Sequence, residues 1–223
     1  MAIERPIFLV GAERSGTSLL RLLLDHHPDI AFQMEFEYAV DRLGPNGEPP
    51  DMAEYRAWLR GNFVFQGSGF SIDDALEFRP LLDSFLEQKR GNKPLIGATI
   101  HRHFDRIGQI WPDARYIYLA RDGRDVARSC IGMGWAGNAY AGCSEWIETV
   151  HAWDRLKASL PEGAYLETRY EDLVADSDAE MARILEWIGV PFTDTRYDYT
   201  KASKYRRPAP KLAYQWKRKM SER

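Results

Sequence analysis

Four short stretches stand out along the chain because apolar residues follow one another without polar alternation. They are Ile7 to Val10, Leu95-Ile96-Gly97, Tyr116 to Ala120 and, more weakly, Ala164 to Glu167. Runs of this length and β-branched content predict strands buried on both faces. Gly11 ends the first run, and an apolar helical pattern from Leu19 through Leu24 follows, giving strand, tight loop and helix. Helix-like segments rich in Arg and Asp follow the second and third runs. Ser177-Asp178-Ala179-Glu180 reads as a capping box; Met181, Ile184, Leu185 and Ile188 then repeat at helical spacing until Gly189 and Pro191 stop the helix. Trp146, Val150, Trp153 and Leu156 mark another amphipathic helix, whose aromatic stripe reads as core.

Strands alternating with helices predict an α/β fold with a central parallel sheet flanked by helices, and in such sheets ligands sit beyond the carboxyl ends of the strands. Chemistry is therefore expected just after Val10, Gly97 and Ala120. Between Gly44 and Gly69 the glycines and Pro45, Pro49 and Pro50 break the rhythm. The expectation is a single domain over 1–223 with a loop-rich helical insertion around 44–90.

The 223 residues, 44% hydrophobic and 13% aromatic, are enough to bury a full core. A net charge of −3 argues against a nucleic-acid partner, so any anion site must be local. The first residues lack a basic region followed by a long apolar run, and no 18-residue apolar stretch occurs elsewhere, so the chain reads as cytoplasmic with no membrane partner. Cys130 and Cys143 have no metal-site spacing and read as small buried hydrophobes; no metal is expected.

Gly11-Ala12-Glu13-Arg14-Ser15-Gly16-Thr17-Ser18 nearly fits the phosphate-loop pattern G-x-x-x-x-G-K-[ST], with Thr17 where the lysine belongs. Successive backbone N–H groups before a helix make an anion cradle even without that lysine. A nucleoside triphosphate needs the lysine and a divalent metal; a phosphosulfate carries less charge and can be held by amides, hydroxyls and one cation, which Arg14 can supply.

The stretch from Pro6 to Arg21, followed by Leu24-Asp25-His26-His27-Pro28-Asp29-Ile30, resembles the phosphosulfate loop and first helix of sulfotransferases, nearest to bacterial members and the tyrosylprotein branch. The resemblance implies a P-loop-like three-layer fold and transfer of a sulfuryl group from 3′-phosphoadenosine 5′-phosphosulfate (PAPS) to an acceptor hydroxyl or amine, leaving 3′-phosphoadenosine 5′-phosphate (PAP). It implies that Arg14, Ser15, Gly16, Thr17 and Ser18 hold the 5′ phosphosulfate, with Arg14 facing the bridging oxygen. Ala114 to Ser129, with Arg121-Asp122-Gly123-Arg124-Asp125 at its centre, is similar to the family's 3′-phosphate motif. Arg121 and Ser129 are then its ligands and Arg128 a third donor, while Arg124 and Asp125 read in part as a solvated ion-pair cluster. Tyr170 matches a tyrosine that approaches the nucleotide, and Lys204 and Arg206 fall where the family closes a basic loop over adenine and the 3′ phosphate.

Two residues compete to be the base. The tyrosylprotein branch places a carboxylate at Glu35, two residues before Glu37; the cytosolic branch places a histidine near His101. Intrinsic chemistry favours His101, but register favours Glu35, which is the expected base with His101 as its rival. The family's lysine after the second core strand appears as Thr99, with His101, His103 or Arg14 as substitutes. His26 and His27 read as helix-end caps. The acceptor, a small molecule or peptide, is expected in a pocket built from the stretch Phe32 to Phe70, whose Phe36, Tyr38, Trp58, Phe63 and Phe65 suit a ring or packing alike. The alternatives are a nucleotide kinase or phosphotransferase, and a nucleotide-binding module without catalysis.

Overall fold

A computed structural model describes residues 3–193, 199–202 and 205–219. The elements run β1 (Ile7–Val10), α1 (Thr17–Asp25), β2 (Ile30–Glu35), α2 (Met52–Gly61), α3 (Phe63–Ser68), α4 (Phe78–Arg90), β3 (Leu95–Ile100), α5 (Ile107–Ile110), β4 (Arg115–Ala120), α6 (Gly123–Gly132), α7 (Ala139–Lys157), β5 (Tyr165–Arg169), α8 (Tyr170–Ala175), α9 (Ser177–Ile188), α10 (Tyr199–Ala202) and α11 (Trp216–Lys219). Five strands form one parallel sheet in the order β2-β3-β1-β4-β5. The chain leaves β1 toward one edge and its neighbour β4 toward the other, so the loops after these strands part and open a crevice at their carboxyl ends.

Both faces of the central strands β1 and β4 are covered, which is why these read as unbroken apolar runs, whereas the edge strand β5 is half-exposed and largely polar. Along β1, Phe8 and Val10 join one cluster with Phe85 of α4, Trp111 and Trp153 of α7. Ile7 and Leu9 join the other, with Leu20 and Leu23 of α1 and Met181 and Ile184 of α9. Each such fully buried side chain contributes roughly 1.5–3 kcal/mol of transfer free energy. No helix among the described residues is long and apolar enough to cross a membrane.

Several expectations need correction. β3 runs on to Ile100, and the stretch expected from Phe32 onward to build the acceptor pocket begins inside a strand, β2 (Ile30–Glu35). Phe32 is a core residue whose ring lies so close to β3 that a Cβ on Gly97 would meet it at 2.2 Å. Phe36, Tyr38 and Phe65 are likewise buried, in the cluster beneath α4, so these three rings serve packing, whereas Phe63 is exposed. Cys130 is buried, but Cys143 is only half-buried.

The cap of α9 is Asp176, one residue before the expected box, whose carboxylate accepts the N–H of Ala179 at 3.0 Å. Glu180 bonds Thr168 and Arg183 instead of reaching back to the helix start. Asp176→Ala is expected to lower unfolding free energy by about 1 kcal/mol in a denaturant titration, and Ser177→Ala by much less; the reverse order would restore the box.

Candidate active site

The loop after β1 turns by two unusual backbone conformations: Arg14 has φ 67° and Gly16 has φ 98°. The first stores strain of about 1–3 kcal/mol in a non-glycine residue. At Gly16 nothing but hydrogen fits, because a Cβ would lie 2.2 Å from the ring of Tyr170. Arg14 is fastened by long-range bonds: its Nε donates to Ser129 Oγ at 3.0 Å, and its carbonyl accepts from Arg121 Nη1 at 2.8 Å. Its guanidinium lies 5.4 Å from the ring centroid of Trp135. Arg121 is buried with its guanidinium 4.1 Å from the Tyr170 ring centroid. Burial pushes the Tyr170 hydroxyl up, against the opposing field of Arg121.

Arg14, Gly16, Thr17, Ser18, Arg121 and Tyr170 thus surround one cavity of about 390 Å³, which Tyr205, Arg206 and Leu212 also line. Ser15 lies just behind it, buried, with an Oγ that has no hydrogen-bond partner, and the Nε atoms of Arg121 and Arg128 are also without one. Buried donors left this way are costly unless an anion arrives. Ser129 reaches the site through Arg14. Lys204 lies outside the described residues. Arg124 is exposed and paired with Asp122, but Asp125 is fully buried, which corrects its reading as a solvated charge.

Beside this cavity a hydrogen-bonded chain crosses the crevice. His101, just past β3, places Nε2 2.9 Å from Thr17 Oγ1 and Nδ1 2.8 Å from Glu37 Oε1. Glu37 also accepts the His101 backbone N–H at 3.0 Å. The carboxylate fixes the proton on Nδ1, leaving the Nε2 lone pair to accept from the threonine hydroxyl. Burial of His101 opposes its protonation, yet the hydrogen bond and charge of Glu37, with the fields of Glu13 and Glu35, outweigh it and raise its pKa. Burial pushes Glu37 up, but His101 and backbone N–H groups hold it below the usual carboxylate value.

His101 opens onto a second cavity of about 500 Å³ whose wall carries Glu13, Asp105, Glu145 and Glu148 with Arg102 and Arg155. His103, with φ 53°, also lines it. Burial raises the pKa of Glu13, opposed by His101 and reinforced by Glu145, Glu37 and Glu35. Glu35 sits exposed at the end of β2, past a register shift, and lines neither cavity; the next turn carries Glu37 inward. Thr99 is buried in β3 with its Oγ1 unpartnered. His26 closes α1 by donating from Nδ1 to Leu22 O at 2.9 Å, and His27 donates from Nε2 to Pro191 O at 2.8 Å. No cluster of His, Cys, Asp or Glu suited to a metal occurs among the described residues.

Residues 6–194 match the model of the sulfotransferase family. The chain belongs to that family. It is similar to the protein-tyrosine sulfotransferase of Drosophila melanogaster, 23% identical over 84% of this chain and 38% of the fly protein. It spans only 38–54% of the first curated sulfotransferases it resembles. Solved sulfotransferases share its fold. A sulfotransferase domain from the Synechococcus PCC 7002 olefin synthase superposes with TM-score 0.71 at 17% identity, covering 99% of this chain and 91% of that one. A mouse sulfotransferase complexed with PAP gives 0.53 at 18% identity, covering 92% and 65%.

Sequence reasoning named Thr17 as a phosphate ligand and His101 as a rival base, but not their contact. It gave Glu13 no role, named Tyr205 only as a neighbour of Lys204 and Arg206 in the expected basic loop, and missed Leu212. Only the direct junction of Glu13 with Arg14 in the loop signalled any of these.

Proposed function

We propose that this sulfotransferase moves a sulfuryl group from PAPS to an acceptor hydroxyl or amine, with the two cavities holding donor and acceptor. The observation that carries the reading is the position of His101 between them, bonded to the donor loop through Thr17 and oriented by Glu37. The loop amides, Ser15, Thr17 and Ser18 would hold the 5′ end, and Arg121 with Ser129 the 3′ phosphate, while Tyr170 and Arg206 border the nucleotide. The buried, unpartnered Ser15 Oγ and Arg121 Nε fit such anions.

PAPS supplies an activated sulfuryl group. With the Thr17 hydroxyl turned from His101 to the phosphosulfate, the freed His101 Nε2 would take the acceptor proton as the acceptor atom bonds to sulfur and the sulfur–phosphate oxygen bond breaks. Arg14, beside Ser129, would neutralise the charge gathering on the departing phosphate oxygen. With a histidine so placed, Glu35 is left a weaker candidate for the base. The acceptor wall has four carboxylates against two arginines, and Arg102 is already held by both oxygens of Asp41 at 2.9 and 2.8 Å. That balance disfavours an anionic acceptor.

Calorimetry tests the donor assignment. PAP is expected to bind more tightly than ATP and without magnesium, because both phosphate anchors are protein groups. Tighter ATP binding that depends on magnesium would transfer the chain to the kinase reading, and PAP binding with no turnover on any neutral or cationic acceptor would leave a binding module.

A further inference from the structure

Asp125, on the first turn of α6, is 0% exposed. A carboxylate so placed is destabilising unless opposite charges and donors surround it. Oδ2 lies 3.6 Å from Arg121 Nη2, and Oδ1 lies 3.9 Å from Arg128 Nε. The same two oxygens accept backbone N–H groups from far along the chain, Oδ2 from Gln215 at 3.2 Å and Oδ1 from Trp216 at 2.8 Å. The mooring is reinforced from outside, where the guanidinium of Arg124 sits 3.9 Å from the Trp216 ring centroid and Arg128 Nη2 approaches Gln215 Oε1 at 3.4 Å. The segment held this way also supplies Tyr205, Arg206 and Leu212, which line the nucleotide cavity, and it lies beyond the stretch that matches the family model.

We infer that Asp125 is a positioning residue for the nucleotide: one carboxylate holds Arg121 at the cavity, draws Arg128 toward it and fastens the C-terminal segment that lines the same cavity. The inference rests on the sulfotransferase reading of that cavity. A simpler role is competing, that of a counterion to two arginines, and the two roles differ in sign. A counterion weakens phosphate binding, so neutralising it would tighten PAP. A positioning carboxylate does the reverse. Asparagine keeps the shape but offers one oxygen and an NH2 group, which faces a backbone N–H as donor against donor and no longer holds the arginines.

The experiment is calorimetry of PAP and of adenosine 5′-phosphate with the full chain, its Asp125→Asn variant and its Trp216→Ala variant, together with amide hydrogen exchange over residues 210–219. Asp125→Asn is expected to weaken PAP about tenfold or more while changing adenosine 5′-phosphate by less than about threefold. Exchange at Gln215 and Trp216 is expected to quicken, and PAP to slow it in the parent. Trp216→Ala, which leaves Asp125 in place and serves if the first variant does not fold, is expected to weaken PAP selectively by a smaller factor of about three. Tighter or unchanged PAP binding by both variants would overturn the inference alone. A parent that does not prefer PAP to adenosine 5′-phosphate would overturn the sulfotransferase reading and the inference with it.

Discussion

His101→Asn is expected to lower turnover roughly 10²- to 10⁴-fold, the usual contribution of a positioned base, with PAP affinity nearly unchanged. Glu35→Gln, at an exposed strand end, is expected to cost far less, and the opposite order of effects would return the role to the carboxylate. The pH profile is an independent check. The neutral imidazole is the active form, and its pKa is raised by Glu37 against the effect of burial, so kcat/KM should climb with pH along a limb above the ordinary histidine value of about 6.5. Glu37→Gln should move that limb toward acid; a limb that stays put would mean that another group titrates. Stability runs the other way. His101, raised in the fold, contributes fully below its ordinary value and loses that contribution as pH climbs through the raised one. Glu37, lowered, contributes above its ordinary value and loses it as pH falls through the depressed one. Alkaline pH thus activates the base while removing the support its protonated form gives to the fold.

Arg121→Ala is expected to weaken PAP binding by about 1.5–3 kcal/mol, roughly ten- to 150-fold, if the guanidinium makes a charge-assisted bond to the 3′ phosphate. The same variant should lose its preference for nucleotides bearing that phosphate. The guanidinium also holds the Arg14 carbonyl, so some loss at the 5′ end is expected, and adenosine 5′-phosphate measures that part separately. Arg121→Lys keeps the charge but not the planar fork, and should recover only part of the discrimination. A variant that keeps the parent's full preference for PAP over adenosine 5′-phosphate would mean that Arg121 acts only in holding the loop.

The legible parts of this protein were those whose cause is local. Buried parallel strands announce themselves because both faces are covered, and β1, β3 and β4 appeared as apolar runs, while the half-exposed β5 gave only a weak signal. The fifth, β2, was hidden because its polar end and the following Pro- and Gly-rich stretch blur its boundary, although Phe32 lies at its centre. The cap of α9 was misplaced by one residue, since a serine and an aspartate side by side are both good caps and only packing chooses between them.

Composition and order along the chain determined the α/β class, the tight turn after β1 and the two motifs that contain Arg14 and Arg121, because each depends on neighbours a few residues apart. The tertiary structure alone decided which groups meet. Thr17 and His101 are 84 residues apart, His101 and Glu37 are 64 apart, and Arg14 and Ser129 are 115 apart. Register counting favoured Glu35 over Glu37, but the irregular end of β2 leaves the first in solvent and turns the second against the histidine. Asp125 could be read as a surface charge in a charged motif until the fold laid residues 215 and 216 over it. Burial and partnership belong to the folded chain as a whole, and a sequence states them only where the contact is made within a turn or two.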